Sequence, residues 1–575
     1  MIMKKNIFII IIFISISSLR AQEISNSFPH TLPFENISVK GEMKARALAN
    51  FSRMERDKYL PQSLFITEEQ SGGWPGDTEG RTILALTLLS QATHRAPQYL
   101  DEIMRIYPTK LNKSGYFGKN YSDTISEQQL SSHGWVLRAL SEYYLWKKDP
   151  KTLEMIQQII QNLALPTKGQ HALYPIDPSK RTHTGSYSGT HQKAVGKWIL
   201  STDIGCDYIF LDGLVQAYQL QKSPELKALI EEMIDRFLQV DLIAIKAQTH
   251  ATLTALRALM RFYEMTGELK YLIETQKRFE LYLHEGMTEN YENYNWFGRP
   301  EWTETCAVID SYMVAFSLWR FTGKTEYLDY AQRIYYNGIC VEQRHNGGFG
   351  SQNCAGAKDE FLNVKITDVH WCCTMRGGEG LSRAIENLFY VDKQAIYFPF
   401  FASAEVKIPF GDKQLVLEEI TDFPYKPEVK LVVKENSLNF EPNLKFFVAP
   451  FFKNPKIYLN KKQLKFNTIN GFATVKIALK KDDIIRFTFN MKVQKNNPVN
   501  NNTLKNYQVY NYGPLLLGTT DTNSYKLNEN EKFVQQSPLV FKSKTSKLVL
   551  KPIMHVMDST VNKESKYCRK VLFKQ

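Results

Sequence analysis

From about residue 80 to residue 390, amphipathic stretches pair across short breaks, and this pattern constrains the fold more than any other feature of the chain. Gly134–Trp146 pairs with Thr152–Leu163 through Lys148-Asp149-Pro150, and Leu211–Leu220 with Leu226–Val240 through Ser223-Pro224. Ala251–Glu264 pairs with Tyr271–Tyr282 through Thr266-Gly267, and Ala307–Phe321 with Tyr327–Tyr336 through Thr322-Gly323. Gly and Ser-Pro in these breaks are helix stop and start signals. Repeated antiparallel helix pairs either stack into an open α-solenoid or close into an (α/α) barrel. The spacing is irregular and long loops interrupt it, which favours a closed barrel whose loops build a site. The loop from Gly286 to Thr303, rich in Tyr, Trp, Asn and Glu, suits a sugar-binding rim.

Around Tyr390 the period changes from helical to alternating. Ala395–Phe400, Leu415–Glu418, Val429–Val433, Phe446–Val448, Lys456–Leu459, Ala473–Ile477 and Ile484–Phe489 read as strands between turn signals. Gln494–Thr503 is Asn-rich and reads as a loop, and the stretch after Leu515 as irregular or partly β. The expected class is therefore α+β and multidomain: a leader over 1–21, a helical barrel over 22–390 and a β-sandwich region over 391–575.

Lys4 and Lys5 precede an apolar run from Ile7 to Ile16, then Ser17, Ser18 and Leu19-Arg20-Ala21-Gln22. That run is too short to span a bilayer, and the pattern is that of a secretory signal cleaved after Ala21. The mature chain is expected in the periplasm or outside the cell, without a membrane anchor. Removing Lys4, Lys5 and Arg20 lowers the formal net charge of +13 by three. Much of the remaining excess lies in the last third, at Lys461-Lys462 and Lys480-Lys481 for example, as a solvated surface that could steer acidic polysaccharide. An exported chain without a nucleic-acid motif is a poor candidate for binding nucleic acid.

Seven cysteines are an odd number for an exported protein. Cys206, Cys340, Cys354 and Cys568 show no pattern and read as small buried or incidental thiols. The other three do show one. Glu304-Thr305-Cys306 is followed by adjacent Cys372-Cys373. Adjacent cysteines make a strained disulfide, whereas three thiols and a carboxylate are ordinary donors for one tetrahedral Zn2+. Both motifs stand where helices are expected to begin: Gly377-Gly378 reads as a break, with a helix over Leu381–Tyr390. A helix N-terminus favours thiolate, and a thiolate is a nucleophile. These residues alone leave a closed structural staple and a catalytic site equally open.

Thr303-Glu304-Thr305-Cys306, Tyr336-Asn337-Gly338 and the Cys372-Cys373 pair resemble glycoside hydrolase family 127, the β-L-arabinofuranosidase-like enzymes. Ile396-Tyr397, Ile457-Tyr458-Leu459, Asp482-Asp483-Ile484 and Tyr512-Gly513-Pro514-Leu515-Leu516 extend the likeness, which runs in order over most of residues 70–520. The resemblance implies an (α/α)6 barrel with β-sandwich domains, and retaining hydrolysis by a zinc-bound cysteine. It implies Glu304, Cys306, Cys372 and Cys373 as zinc ligands and Cys372 as nucleophile. The family's acid/base sits in a Gly-Glu-Ala-Phe segment. This chain has Gly286-Met287-Thr288-Glu289-Asn290-Tyr291-Glu292 instead, so Glu289 is the first choice by spacing and Glu292 the second. His133 and His250 start helices as the family's sugar-contacting histidines do. His370, Arg376, Trp74 and Asp77 complete the candidate substrate contacts.

The expected function is an exported zinc-dependent retaining glycoside hydrolase. Its expected substrate is an oligosaccharide or polysaccharide of plant or algal origin, carrying a β-L-arabinofuranoside or a related unusual or acidic sugar. Two alternatives are an unsaturated uronyl hydrolase or lyase with structural zinc, and a non-catalytic glycan-binding protein.

Overall fold

The computed structural model describes residues 28–181, 189–355, 361–499, 504–521, 523, 525, 527, 528, 531–554 and 569–574. The leader expected over 1–21 and Cys568 lie outside them. Twelve principal helices alternate between an inner and an outer ring. They are α1 (Gly41–Arg53), α2 (Asp77–Thr93), α3 (Leu100–Ile106), α4 (Glu127–Lys147), α5 (Pro150–Ile159) and α6 (Asp207–Leu220). The series continues with α7 (Pro224–Leu238), α8 (Thr249–Thr266), α9 (Leu269–Glu285), α10 (Thr305–Thr322), α11 (Glu326–Ile334) and α12 (Cys373–Glu386). The even-numbered helices pack in the closed cycle α2, α4, α6, α8, α10, α12 and back to α2. Each carries an odd-numbered helix outside it, and the outer partner of α12 is α1. This is an (α/α)6 barrel.

The breaks work as their sequences indicate. Ser126 and Ser223 accept from backbone N–H groups at the starts of α4 and α7, and Asp149 does the same for α5 ahead of Pro150. Gly267 and Gly323 end α8 and α10 in the left-handed region, at φ 73° and 71°. The inner helices are buried nearly all round, because each touches two inner neighbours and an outer one.

Gly377-Gly378 does not break the chain, contrary to the sequence reading. The helix starts at Cys373 and runs through both glycines to Glu386. Packing explains them: a Cβ on Gly377 would lie 2.0 Å from the Phe349 ring, and one on Gly378 2.7 Å from Asn50 Oδ1.

After Phe389 the chain builds sheets. A six-stranded sheet contains Tyr390–Asp392, Ala395–Phe398, Asn443–Phe447 and Phe472–Lys476; a seven-stranded one contains Ala404–Phe410, Lys413–Thr421, Glu428–Asn436 and Ile484–Asn490. Phe446 of the first stacks on Phe487 of the second with centroids 5.1 Å apart, so the two sheets share a core. Both sheets also take strands from the start of the chain. His30–Thr31 pairs with Tyr390–Val391, and Ile37–Val39 pairs with Ala404–Val406. The sequence reading had assigned residues 22–390 to the barrel. These pairings form across more than 350 residues, which local periodicity does not register.

A third sheet follows over 493–574, with its own core of Tyr510, Tyr512, Leu517, Phe541 and Leu550. The stretch after Leu515 is partly β, with short strands such as Leu515–Gly518, Phe533–Ser537 and Val549–Pro552, whereas Val493–Asn496 is a strand rather than loop. Asn337 fastens this sheet to the barrel: its Nδ2 donates to Pro514 O at 2.8 Å, and its Oδ1 accepts from Leu516 N at 2.7 Å. No helix among the described residues is long and apolar enough to cross a membrane.

Candidate active site

Each inner helix from α2 to α10 is followed by an outer one that returns, and α12 follows outer α11, so the inner helices run in one direction and their N-termini gather at one mouth of the barrel. A cavity of about 660 Å³ opens there. Its wall includes Trp74, Asp77 and Arg81 at the start of α2, Asp203 ahead of α6, and Gln248 and His250 at α8. Glu304 at α10 and His370, Trp371 and Cys372 at α12 complete it. Free N–H groups and dipoles at these helix starts favour negative charge in the mouth.

The two cysteine motifs meet. Cys372 Sγ and Cys373 Sγ are 3.4 Å apart, and the sulfurs of Cys306, Cys372 and Cys373 lie within 4.8 Å of one another. His250, Glu304 and Cys306 form a second such group sharing Cys306. Three thiols, a carboxylate and an imidazole fit a zinc ion better than any oxygen-seeking metal, because thiolate is a soft donor and imidazole a borderline one. The Glu304, Cys306, Cys372, Cys373 set therefore fits Zn2+, with His250 beside it. At Cys373 burial opposes ionisation, but hydrogen bonds from Cys306 and Cys372 hold the thiol down to about 5. Hydrogen bonds with Cys306 and Cys373, and then burial, push Cys372 well up.

Neighbouring residues fix the cluster. Arg81 Nη1 donates to Cys306 Sγ at 3.4 Å, and Arg81 Nε donates to Asp77 Oδ2 at 2.7 Å. His250 stands between Glu304 Oε1 at 3.3 Å and Asp310 Oδ2 at 3.4 Å, stacked on Trp135. Burial raises Glu304, partly offset by His250. Below the mouth, Arg138, Arg257 and Arg376 interlock with Asp212, Asp310 and Glu379 along the barrel axis, all six nearly fully buried. Burial works against charge at Asp310, yet Arg376 and Arg257 hold it well below the carboxylate range.

Among the residues expected to touch substrate, Trp74, Asp77, His250 and His370 line the cavity. Trp74 Nε1 donates to Gly189 O at 3.0 Å, leaving the indole on the wall. His370 Nε2 lies 2.6 Å from Lys58 Nζ at the rim.

His133 and Arg376 do not line it. His133 is fully buried, with Nδ1 on Gln129 O at 2.7 Å and Nε2 accepting from Phe117 N at 3.1 Å; burial lowers it to about 4, so it is a neutral packing residue. Arg376 is consumed by the axial ion network. In the loop from Gly286 to Thr303, the part from Gly286 to Phe297 is no rim either. It is buried throughout, against α9, Gly338 and Cys354. Glu289 and Glu292 are therefore interior carboxyls off the cavity wall. Burial raises Glu289 to about 8, and burial with the neighbouring Glu342 raises Glu292 well up. Cys206, Cys340 and Cys354 are buried free thiols.

Sequence reasoning missed Arg81, Asp203, Gln248 and Trp371. Arg81 carried one faint signal, the four-residue spacing from Asp77 that makes a helical ion pair. Asp203 carried none. It is 7% exposed, burial and then Glu304 and Glu127 raise it well above the carboxylate range, and its Oδ1 has no hydrogen-bond partner.

Comparison with known proteins agrees with this architecture. Residues 280–384 match the family model described as the β-L-arabinofuranosidase, GH127 catalytic domain. A solved GH127 β-arabinofuranosidase superposes with TM-score 0.71 at 14% identity, over 95% of this chain and 98% of that one. A GH127 β-L-arabinofuranosidase from Geobacillus stearothermophilus T6 gives 0.69 at 12% identity, over 94% and 100%. A structure described as a glycoside hydrolase gives 0.68 at 13%, over 96% and 98%. At these identities the likeness shows a shared fold. No curated protein sequence matches the chain.

Proposed function

From a chain that is glycoside hydrolase family 127-like, with a three-cysteine cluster at its barrel mouth, we propose an exported, zinc-dependent retaining glycoside hydrolase with Cys372 as nucleophile. The single observation that carries this reading is that Cys372 alone of the clustered cysteines lines the cavity and is partly exposed, while Cys306 and Cys373 are buried behind it. A sulfur placed this way can reach an anomeric carbon; the other two can only hold. Zinc bound by Glu304, Cys306, Cys372 and Cys373 would keep the sulfurs ionised at neutral pH.

Cys372 Sγ attacks the anomeric carbon, the glycosidic oxygen leaves with its bonding electrons and takes up a proton, and water then resolves the thioglycosyl enzyme. His250 holds Glu304 in place, Arg81 holds Cys306, and Trp74 and Trp371 offer flat apolar faces for a sugar ring. The proposed substrate is a β-L-arabinofuranoside or a related acidic sugar of plant or algal polysaccharide.

The reading is tested by intact-protein mass spectrometry, native for metal and denatured after exposure to a cyclophellitol-type arabinofuranose probe. One zinc and an adduct on Cys372 are expected. Metal-replete protein without zinc, or an adduct on a carboxylate instead, would overturn it.

A further inference from the structure

A retaining hydrolase needs a carboxyl group that protonates the departing oxygen and later takes a proton from water, on the opposite side of the scissile bond from the nucleophile. Neither Glu289 nor Glu292 lines the cavity. The carboxyls that do are Asp77, Asp203 and Glu304. Asp77 also has an unpartnered Oδ1, but its Oδ2 accepts from the Arg81 guanidinium, an ion-pair partner that Asp203 lacks among the described residues, and Glu304 belongs to the candidate metal-ligating set beside His250. Asp203 is left.

Its position fits the task. Asp203 precedes α6, and Cys372 precedes α12. In the cycle α2, α4, α6, α8, α10, α12 these two helices stand three places apart, so the residues face each other across the mouth. The segment carrying Asp203 is rigid. Its N–H donates to Ser201 Oγ at 3.1 Å, and the flanking N–H groups of Ser201 and Gly205 donate to the buried Glu127 carboxylate at 2.9 and 3.3 Å. Glu127 is in turn held by Arg181 at 3.0 Å. Nothing among the described residues occupies Asp203 Oδ1. A buried carboxyl oxygen without a partner, on the wall of a cavity that contains a nucleophile, is placed to exchange a proton with whatever fills that cavity.

We propose that Asp203 is the acid/base catalytic residue of this site. The assignment rests on the glycosidase reading above. In the first step the Asp203 carboxylic acid gives its proton to the glycosidic oxygen while the bond from that oxygen to the anomeric carbon breaks and the carbon–sulfur bond to Cys372 forms. In the second, the Asp203 carboxylate takes a proton from water, the water oxygen bonds to the anomeric carbon, and the carbon–sulfur electrons return to Cys372.

The test compares Asp203→Asn, Asp203→Ala and Glu289→Gln with wild type on two probes, an alkyl β-L-arabinofuranoside and its 2,4-dinitrophenyl counterpart. The second leaves without protonation. Asp203→Asn is expected to lose about 10²–10⁴-fold in kcat/KM on the alkyl glycoside and less than about tenfold on the aryl one. On the aryl probe it should accumulate the glycosyl-enzyme mass, and azide should restore turnover of Asp203→Ala by standing in for activated water. A merely structural residue would lose equally on both probes, with no response to azide, and that outcome overturns the assignment. So does the same leaving-group signature appearing in Glu289→Gln and not at Asp203. If Cys372→Ala stays active while Asp203→Asn shows the signature, the cysteine reading fails and the acid assignment survives. The converse pattern sinks the acid assignment alone.

Discussion

The Arg81 guanidinium donates to the Cys306 sulfur across 3.4 Å, with its carbon 3.9 Å from the centre of a Trp135 ring. It is a fixed positive charge beside a thiol that must be ionised to bind metal. Arg81→Met keeps the volume and removes the charge. Metal affinity or activity is expected to fall about 10–100-fold, the usual effect of removing a residue that supports a ligand. Zinc competition with a chromophoric chelator measures it, and an unchanged affinity would mean the contact is incidental.

Cys372→Ser should retain zinc, held by Glu304, Cys306 and Cys373 with His250 at hand, yet lose about 10³-fold or more in turnover, because a serine hydroxyl is a far poorer nucleophile at neutral pH. Cys306→Ser, by contrast, removes the ligand shared by both metal-binding groups and should lose metal and activity together. Metal content by mass spectrometry, read beside kcat, separates the two.

Glu289 gives a pH signature. Its ordinary value is 4.5 and burial raises it to about 8. A raised carboxyl adds nothing unfavourable below pH 4.5, where both folded and unfolded forms are protonated. As pH climbs toward 8 the unfolded state sheds its proton first, and stability is lost. Glu289→Gln is therefore expected to raise the melting temperature by a few degrees at pH 8 and to leave it unchanged near pH 4. Equal gains at both pH values would contradict this.

Much of the fold was legible locally, and the reason is that its helices and strands are written in short windows. The capping residues Asp149 and Ser223, and the glycines at 267 and 323, announce helix ends within a few positions. The clustering of Glu304, Cys306, Cys372 and Cys373 was legible because these residues come in two contiguous motifs. Ring closure was not. It sets Asp203 against Cys372 and Arg81 against Cys306 through contacts between distant helices, and no local pattern encodes that. Gly377 and Gly378 misled because glycine serves two physical purposes, turning a chain and letting another surface approach it. Glu289 and Glu292 misled because a polar loop is ordinarily solvated, whereas this one is sealed beneath the barrel mouth.

Those glycines can be probed. Alanine at Gly377 places a methyl 2.0 Å from Phe349, which the buried core can relieve only by shifting that ring. A loss of about 1–3 kcal/mol, the usual range for overpacking, is expected in chemical denaturation. Phe349→Leu in the same chain should recover part of it.

The axial ion network should behave as a unit. Arg376→Met leaves the three buried carboxylates with two guanidinium partners, Arg257 for Asp310 and Arg138 with Arg257 for Glu379, so one buried negative charge is stranded, which should cost about 3–5 kcal/mol. Adding Asp310→Leu removes one stranded charge and should recover part of the loss, which a double-mutant cycle would measure. Simple additivity would show that the contacts are independent.

The pairing of His30–Thr31 and Ile37–Val39 with strands beyond residue 390 bears on how this chain is made. During synthesis the first strands emerge some 350 residues before their partners, with their ladder groups open throughout. The outer helix that follows them, Gly41–Arg53, waits nearly as long for Cys373–Glu386, the helix it backs. The barrel therefore cannot close one pair at a time from its beginning. Its first and last segments come together only late, beside the pairings that found the sandwich, so a nascent chain stopped short of Cys373 carries an open ring and two unpaired strands.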